Sequence, residues 1–420
     1  MIALMALVAV LVACGGTSGD DGAGADDPGG GAAGAELAAS PDVERSEPDP
    51  DAPVDQLVAG FNDAGFELWR SQPEGDDLVF SPLSIGHALL MARAAADEPT
   101  GAAIDDAFGL PDGRTAHEAW NALDQAIAAS AGASDDVVVA IADRIWPRLD
   151  VEPDQDWVDL LVAEHGVTTE PLDFAGAPGE SRDVINDWVA DRTEQLIPEL
   201  LPEGFIQPNT VLVLTDAVYF EARWQAPFGK YGTVTDTFTR LDGSTTEVEL
   251  MRELELADAR GTGDGWAAAE IPYTGGGDHS MLVIVPDEGR FAELRDGLDQ
   301  AVVDEIDATM TTGPYELLVP RWEDSTTIDL LGWLDGLGAA PGSYPLIDPA
   351  AELAGAVHAA DIAVDEEGTV AAAATGLGFN ESGAAEPELT VKADRPFLYL
   401  IRHRPTGAVL FAGQVTDPTS

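Results

Sequence analysis

Residues 55–420 are predicted to form one α+β domain, and three observations predict it. Helical periodicity dominates the first third, β-branched or alternating runs dominate the last half, and no Pro/Gly-rich linker interrupts the stretch. In chain order, helices are expected over residues 54–70, 85–96 and 116–131. The first two repeat apolar side chains at three- and four-residue spacing, and the third is rich in Ala, the strongest helix former. Strands are expected over residues 137–144, 211–220, 281–286 and 315–320. Residues 397–402 and 408–415 are two apolar runs joined by His403-Arg404-Pro405-Thr406-Gly407, whose Pro and Gly suit a hairpin connection.

The chain has 420 residues, ample for a sizeable core, and its 45% apolar content is ordinary. Its charge is not: 20 basic against 77 acidic residues give −57, and Lys230 and Lys392 are its only lysines. Such a surface repels DNA, RNA, heparin-like polyanions and anionic lipid, so no nucleic-acid partner and no polyanion cofactor are expected. The acids are spread along the chain rather than blocked, which suits solubility in a saline medium that screens self-repulsion.

The single cysteine, Cys14, excludes an internal disulfide and a cysteine-based metal site. Residues 1–13 are almost wholly apolar and too short to span a bilayer, which needs about 17–25 residues. They suit the apolar region of a signal peptide. Leu11-Val12-Ala13-Cys14-Gly15 resembles a bacterial lipoprotein cleavage box, in which the cysteine is lipidated and becomes the new N-terminus. No basic residue precedes the apolar run, so the start is expected to lie inside a longer gene product. Residues 14–54 are rich in Gly, Asp, Pro, Ala and Ser, carry no aromatics and are expected to be a disordered tether. A secreted or envelope location follows, with the domain facing the periplasm or exterior and touching the membrane only through the lipid on Cys14.

Catalytic patterns are missing. There is no G-x-S-x-G elbow, no cysteine nucleophile, no H-E-x-x-H and no P-loop among these residues. His87, His117, His165, His279, His358 and His403 are scattered. Neither an enzyme, nor a metal site, nor a cofactor is expected.

The strongest signal lies near the C-terminus. Glu366-Glu367-Gly368-Thr369-Val370-Ala371-Ala372-Ala373-Ala374-Thr375 resembles the hinge of a serpin reactive loop: two acids, glycine, threonine, a variable residue and a run of alanines. Ala393-Asp394-Arg395-Pro396-Phe397 and Thr406-Gly407-Ala408-Val409-Leu410-Phe411-Ala412-Gly413 resemble the family's C-terminal signature. Upstream, Phe80-Ser81-Pro82-Leu83-Ser84-Ile85, Ile185-Asn186-Asp187-Trp188-Val189, Leu214-Thr215-Asp216-Ala217-Val218-Tyr219-Phe220 with Trp224, Pro320-Arg321-Trp322 and Val357-His358 fall in the family's order. Two positions depart: Asp216 stands where members usually have asparagine, and Gln195 where they often have glycine.

The resemblance covers residues 55–420 and implies the serpin fold. That fold has a large, antiparallel-rich central sheet, further sheets, about eight to nine helices and an exposed reactive loop, here about residues 366–392. It implies a monomeric, irreversible suicide-substrate inhibitor of serine-type proteases, with cysteine proteases a second class. The implied alternative is a non-inhibitory serpin acting as a binding or surface protein. Glu366 is implied to pair with Arg321 near Trp224 where the loop enters the sheet. Ser81, Ser84, Asn186, Asp216 and His358 are implied to form the polar shutter beneath it. Family spacing from Gly368 puts the scissile bond at Ser382–Gly383, whereas counting back from Pro396 gives Ala385–Glu386. Small residues there suit elastase-like or subtilisin-like enzymes.

Strand alternation tests whether this loop can insert, because successive residues face opposite sides. One face reads Thr369, Ala371, Ala373, Thr375, Leu377, Phe379, and the other Val370, Ala372, Ala374, Gly376, Gly378, Asn380. No charge or proline interrupts residues 369–380. Two new ladders of backbone bonds, at on the order of 1 kcal/mol net per bond, give a gross gain on the order of 10 kcal/mol.

Overall fold

A computed structural model describes residues 5–14, 40, 43–132, 134, 136–193, 197–229, 232–256, 259–313, 315–369 and 389–419. Six helices lie in its first half: α1 (Val54–Ser71), α2 (Pro82–Arg93), α3 (Glu98–Phe108), α4 (Arg114–Ala131), α5 (Gln155–His165) and α6 (Pro178–Arg192). In α1, Leu57, Val58, Phe61, Leu68 and Trp69 recur at helical spacing and form its buried stripe. The expected helix at 85–96 begins earlier, because Ser81 caps it by accepting from the Ser84 amide and Pro82 occupies the first turn. From Pro82 to Ala92 every residue of α2 is buried, so α2 is the central helix of the domain. A side chain at Gly86 would collide with the Phe61 ring at 2.5 Å, so glycine lets α1 and α2 pack in direct contact.

The main sheet contains β1 (Met5–Cys14), β2 (Val137–Pro147), β3 (Thr168–Thr169), β4 (Thr210–Arg223), β5 (Trp322–Asp329), β6 (Glu352–Val364) and β7 (Gly368–Thr369). Its order is β5, β6, a slot, β4, β2, β3. Two segments fill the slot. At its head, β7 pairs antiparallel with both walls, Thr369 opposite Val364 of β6 and Ala222 of β4. Below it, β1 runs antiparallel to both walls, with Ala9 opposite both Asp216 and His358. The apolar run expected as a signal segment thus takes the backbone path of a central strand. An uncharged run of this kind is compatible with a strand covered on both faces.

The central helix α2 packs beneath β1 and β4, while α6 covers the other face, where Ile185 and Val189 meet Trp146, Val213 and Ala359. A second sheet joins Leu78–Phe80 to the hairpin Phe397–His403 and Ala408–Val415, as the two C-terminal apolar runs require. In a third sheet, Leu389–Lys392 lies parallel to Tyr315–Pro320. Residues 370–388 therefore connect the slot to the edge of the third sheet.

One boundary differs from the expected tether over 14–54. The Ser46 amide donates to Ala163 O at 2.8 Å, and Arg45 reaches Asn121 Oδ1 at 2.6 Å and Asp124 Oδ2 at 2.7 Å. Asn121 returns a bond to Ser46 O at 3.1 Å. Residues 43–53 are thus docked on α4 and α5 by polar contacts that a search for apolar periodicity does not register.

Candidate functional site

At the head of the slot the chain turns from β6 into β7 under close control. Arg321 Nε donates to Glu366 Oε2 at 2.8 Å, Arg321 Nη2 donates to Oε1, and Thr233 Oγ1 donates to Oε1 at 2.7 Å. The Glu366 side chain is only 6% exposed, so this pair differs from a fully exposed one, which contributes little. Burial pushes the Glu366 carboxyl up, but the Arg321 and Thr233 hydrogen bonds hold it below the usual glutamate range. The backbone is fixed as well. The Trp224 amide donates to Glu367 O at 3.0 Å, the Phe228 amide to Glu366 O at 2.9 Å, and Trp224 Nε1 to Asp365 O at 2.9 Å. Trp224 stacks on Tyr273, with centroids 4.5 Å apart and planes at 10°, and Tyr273 hydroxyl meets Thr369 Oγ1 at 2.5 Å. A Cβ on Gly368 would stand 2.2 Å from Ala222 O, so only glycine permits this approach to β4.

Below the hinge lies a buried polar cluster. Ser84 Oγ donates to Asp216 Oδ1. His358 makes no bond to Asp216: its Nε2 accepts from the Ser81 amide at 3.1 Å, and its Nδ1 has no hydrogen-bond partner among the described residues. The second oxygen of Asp216 meets His87 Nδ1 at 2.5 Å. Because Ser81 and Ser84 both belong to the start of α2, this helix is bonded to one slot wall through Asp216 of β4 and to the other through His358 of β6. Asn186, expected in the shutter, is not among these contacts. It bonds Leu201 O and the amides of Leu200 and Leu201, anchoring α6 to the following segment. Its place on a helix covering the opposite face of the sheet explains the difference.

Sequence reasoning missed the residues that extend this cluster. His87 Nε2 meets His165 Nδ1 at 2.8 Å, and His165 Nε2 meets His117 Nδ1 at 2.8 Å, linking α2, α5 and α4. Asp143 of β2 stands opposite Asp216. The one available signal was His87 three residues after Ser84, which places both on the same helix face. Burial, then the repulsion between His87, His117 and His165, lowers His165 well below the usual histidine range, and burial likewise lowers His117 to about 3. Of the remaining expected residues, Ala371, Ala372, Ala373 and Ala374 of the hinge, and Ser382, Gly383, Ala385 and Glu386 of the reactive bond, lie outside the described residues, as does Gln195. For Cys14, the backbone pairs with Thr210 and Glu352 at the end of β1.

Comparison with known proteins agrees with this architecture. The family model "Serpin (serine protease inhibitor)" matches residues 60–418. Serpin-Z2A of rice is 31% identical, over 82% of this chain and 92% of its own. An uncharacterized serpin-like protein of Methanosarcina acetivorans is 30% identical, over 86% of each chain. The crystal structure of tengpin, a thermophilic serpin in its native state, superposes with a TM-score of 0.75 at 22% identity, covering 89% of this chain and 97% of that one. With a hinge gripped at the head of a slotted sheet and a family match across nearly the whole domain, the chain belongs to the serpin (serine protease inhibitor) family.

Proposed function

We propose that this protein is an irreversible suicide-substrate inhibitor of serine-type proteases, working as a monomer on the cell envelope. A protease cleaves the exposed loop and forms an acyl-enzyme. The freed loop then enters the slot and drags the protease along before deacylation. Serpin loop insertion is itself an established instance of strand addition to a sheet.

The observation that carries this reading is the register of β7. Thr369 is already opposite Val364 and Ala222. Continuing that register residue by residue brings residue 371 opposite Phe220 and residue 379 opposite Leu212. Those are the partners of Met5 and Ala13 in β1. The face carrying Ala371, Ala373, Thr375, Leu377 and Phe379 then lies on the side of Phe220 and Asp216, toward α2 and the core. The face of Val370, Ala372, Ala374, Gly376 and Gly378 lies on the side of Val213, toward α6. Thr375 comes to stand between Asp216 and His358, as Ala9 does in β1. There its hydroxyl can donate to the carboxylate and accept from the orphaned His358 Nδ1. Cleavage before Cys14 and lipidation of that residue, which complete the proposal, remove most of β1 and leave the slot to the loop.

Incubation with an elastase-like or subtilisin-like protease tests the reading. A covalent complex that survives boiling in detergent supports it. Clean cleavage without a complex overturns it in favour of a non-inhibitory binding protein. Intact mass of the released peptide distinguishes Ser382–Gly383 from Ala385–Glu386, and mass of the mature N-terminus reports the lipid on Cys14.

A further inference from the structure

The buried groups around Asp216 include three that no inhibitory role requires in this form. His87 of α2, Asp143 of β2 and Asp216 of β4 each aim one donor atom at a common point, and these atoms lie within 4.8 Å of one another. His87 Nδ1 is 2.5 Å from Asp216 Oδ2 and 3.5 Å from Asp143 Oδ1. Asp143 is 94% buried at its side chain, yet its Oδ1 has no hydrogen-bond partner among the described residues. Two neighbouring carboxylates in a dry interior repel each other, and a buried charge is tolerated only when paired or coordinated. No arginine or lysine makes an ion pair with Asp143 or Asp216 among the described residues.

We propose that His87, Asp143 and Asp216 form a binding site for a divalent transition-metal cation, Zn²⁺ foremost. Three observations beyond the cluster itself carry the assignment. First, charge: one divalent ion neutralises two carboxylates. Second, orientation: Trp120 stacks on the His87 ring at 3.6 Å with planes at 10°, fixing where Nδ1 points. Third, the tautomer. A metal on Nδ1 requires hydrogen on Nε2, and His87 Nε2 faces His165 Nδ1, whose own Nε2 faces His117 Nδ1. The three rings can hold their protons in a single head-to-tail chain of Nε2–H donors. This is the outer-shell support that metal-binding histidines have. Ser84, donating to the other oxygen of Asp216, does the same for that ligand. Zinc ligands sit about 2.0–2.2 Å from the ion, so a separation of 3.5 Å between donors already suits it, and the 2.5 Å pair needs to open by under an ångström. One imidazole nitrogen with two carboxylates favours zinc over Ca²⁺ or Mg²⁺, which want more oxygen ligands. Loaded, the ion ties α2 to β2 and β4, the strands on one side of the slot.

The full chain, stripped with chelator and refolded with or without Zn²⁺, supplies the test. Excess Mg²⁺ and Ca²⁺ saturate the acidic surface. The expected result is one Zn²⁺ per chain after gel filtration, a raised Tm, and visible absorption from a four-coordinate ion when Co²⁺ replaces Zn²⁺. Asp143→Asn, which keeps the side-chain shape, is expected to lose at least about tenfold in affinity together with the Co²⁺ band. His87→Gln, where it folds, is expected to do the same. No stoichiometric zinc by either route overturns the site, as does Asp143→Asn binding zinc like the parent.

Discussion

Arg321 holds Glu366 by both carboxylate oxygens at the point where the chain leaves β6 and turns into the slot. The guanidinium fork fits a carboxylate bidentately, which a lysine cannot do. Replacing Glu366 by glutamine leaves Arg321 with only the exposed Glu249 carboxylate, 3.0 Å from its Nη1, and is expected to cost about 1–3 kcal/mol. Glu366→Lys is expected to go further, freeing the hinge so that the loop of one molecule enters the slot of another. Native gels after mild heating check this: a variant that stays monomeric removes Glu366 from that role. The pair also carries a pH signature. The folded carboxyl lies below its unfolded value, so its contribution is present above about pH 4.3 and is lost as pH falls through the folded value. Glu366→Gln is expected to lack that part of the acid loss in a Tm series.

Gly368 is the tightest contact in the hinge. Gly368→Val places its Cβ on Ala222 O and its neighbour Arg223 Cα, 2.2 and 2.7 Å away. The β7 pairing is expected to fail and insertion to slow, so more inhibitor is cleaved per protease trapped. A several-fold rise in the stoichiometry of inhibition is the readout.

Thr375→Val keeps the side-chain shape but removes the hydroxyl that the proposed insertion register brings between Asp216 and His358. Loop cleavage is expected to proceed at the parental rate, while the cleaved form gains less thermal stability than the parent. Equal Tm values for the two cleaved proteins would contradict the register argued from β7.

Asp143→Asn is expected to be more stable than the parent at pH 8 when metal is chelated. The parent's Asp143 is raised in the folded state, so folding is favoured below about pH 3.9 and that advantage is lost as pH rises through the folded value. Asparagine does not ionise, so the gap should close toward pH 4. Chemical denaturation at several pH values measures it.

His117 works in the opposite direction. Its folded value of about 3 lies below the unfolded 6.5, so its contribution is present above pH 6.5 and falls with pH toward the folded value. One proton corresponds to about 1.4 kcal/mol per pH unit. His117→Gln is expected to flatten the stability profile between pH 6.5 and 4 by about that slope.

Much of this was legible in the sequence, and what was not has physical reasons. Leu57, Phe61 and Leu68 declare α1 by their spacing, and the C-terminal hairpin is declared by two apolar runs around Pro405-Thr406-Gly407. The contact between Glu366 and Arg321 spans 45 positions and came through family resemblance, since spacing alone does not bring such residues together. The chain from His87 through His165 to His117 spans 78 and then 48 positions on three helices, with no local pattern to betray it. Asn186 misled because family order fixes its helix but not which backbone groups its amide meets. Arg45 and Ser46 were hidden in a Gly/Asp-rich composition, since their docking uses hydrogen bonds and no apolar stripe.

The start of α2 touches both walls of the slot, and this makes one backbone hydrogen a clock. The Ser81 amide is held by His358 Nε2 on β6, whereas Ser84 and His87 hold Asp216 on β4. The walls cannot separate over the helix without breaking one of these holds. If the β6 side yields, the Ser81 hydrogen exchanges with solvent at the frequency of sheet opening, long before the molecule unfolds. On the proposed mechanism, how readily the slot opens to its own loop with no protease present is then readable from a single peptide.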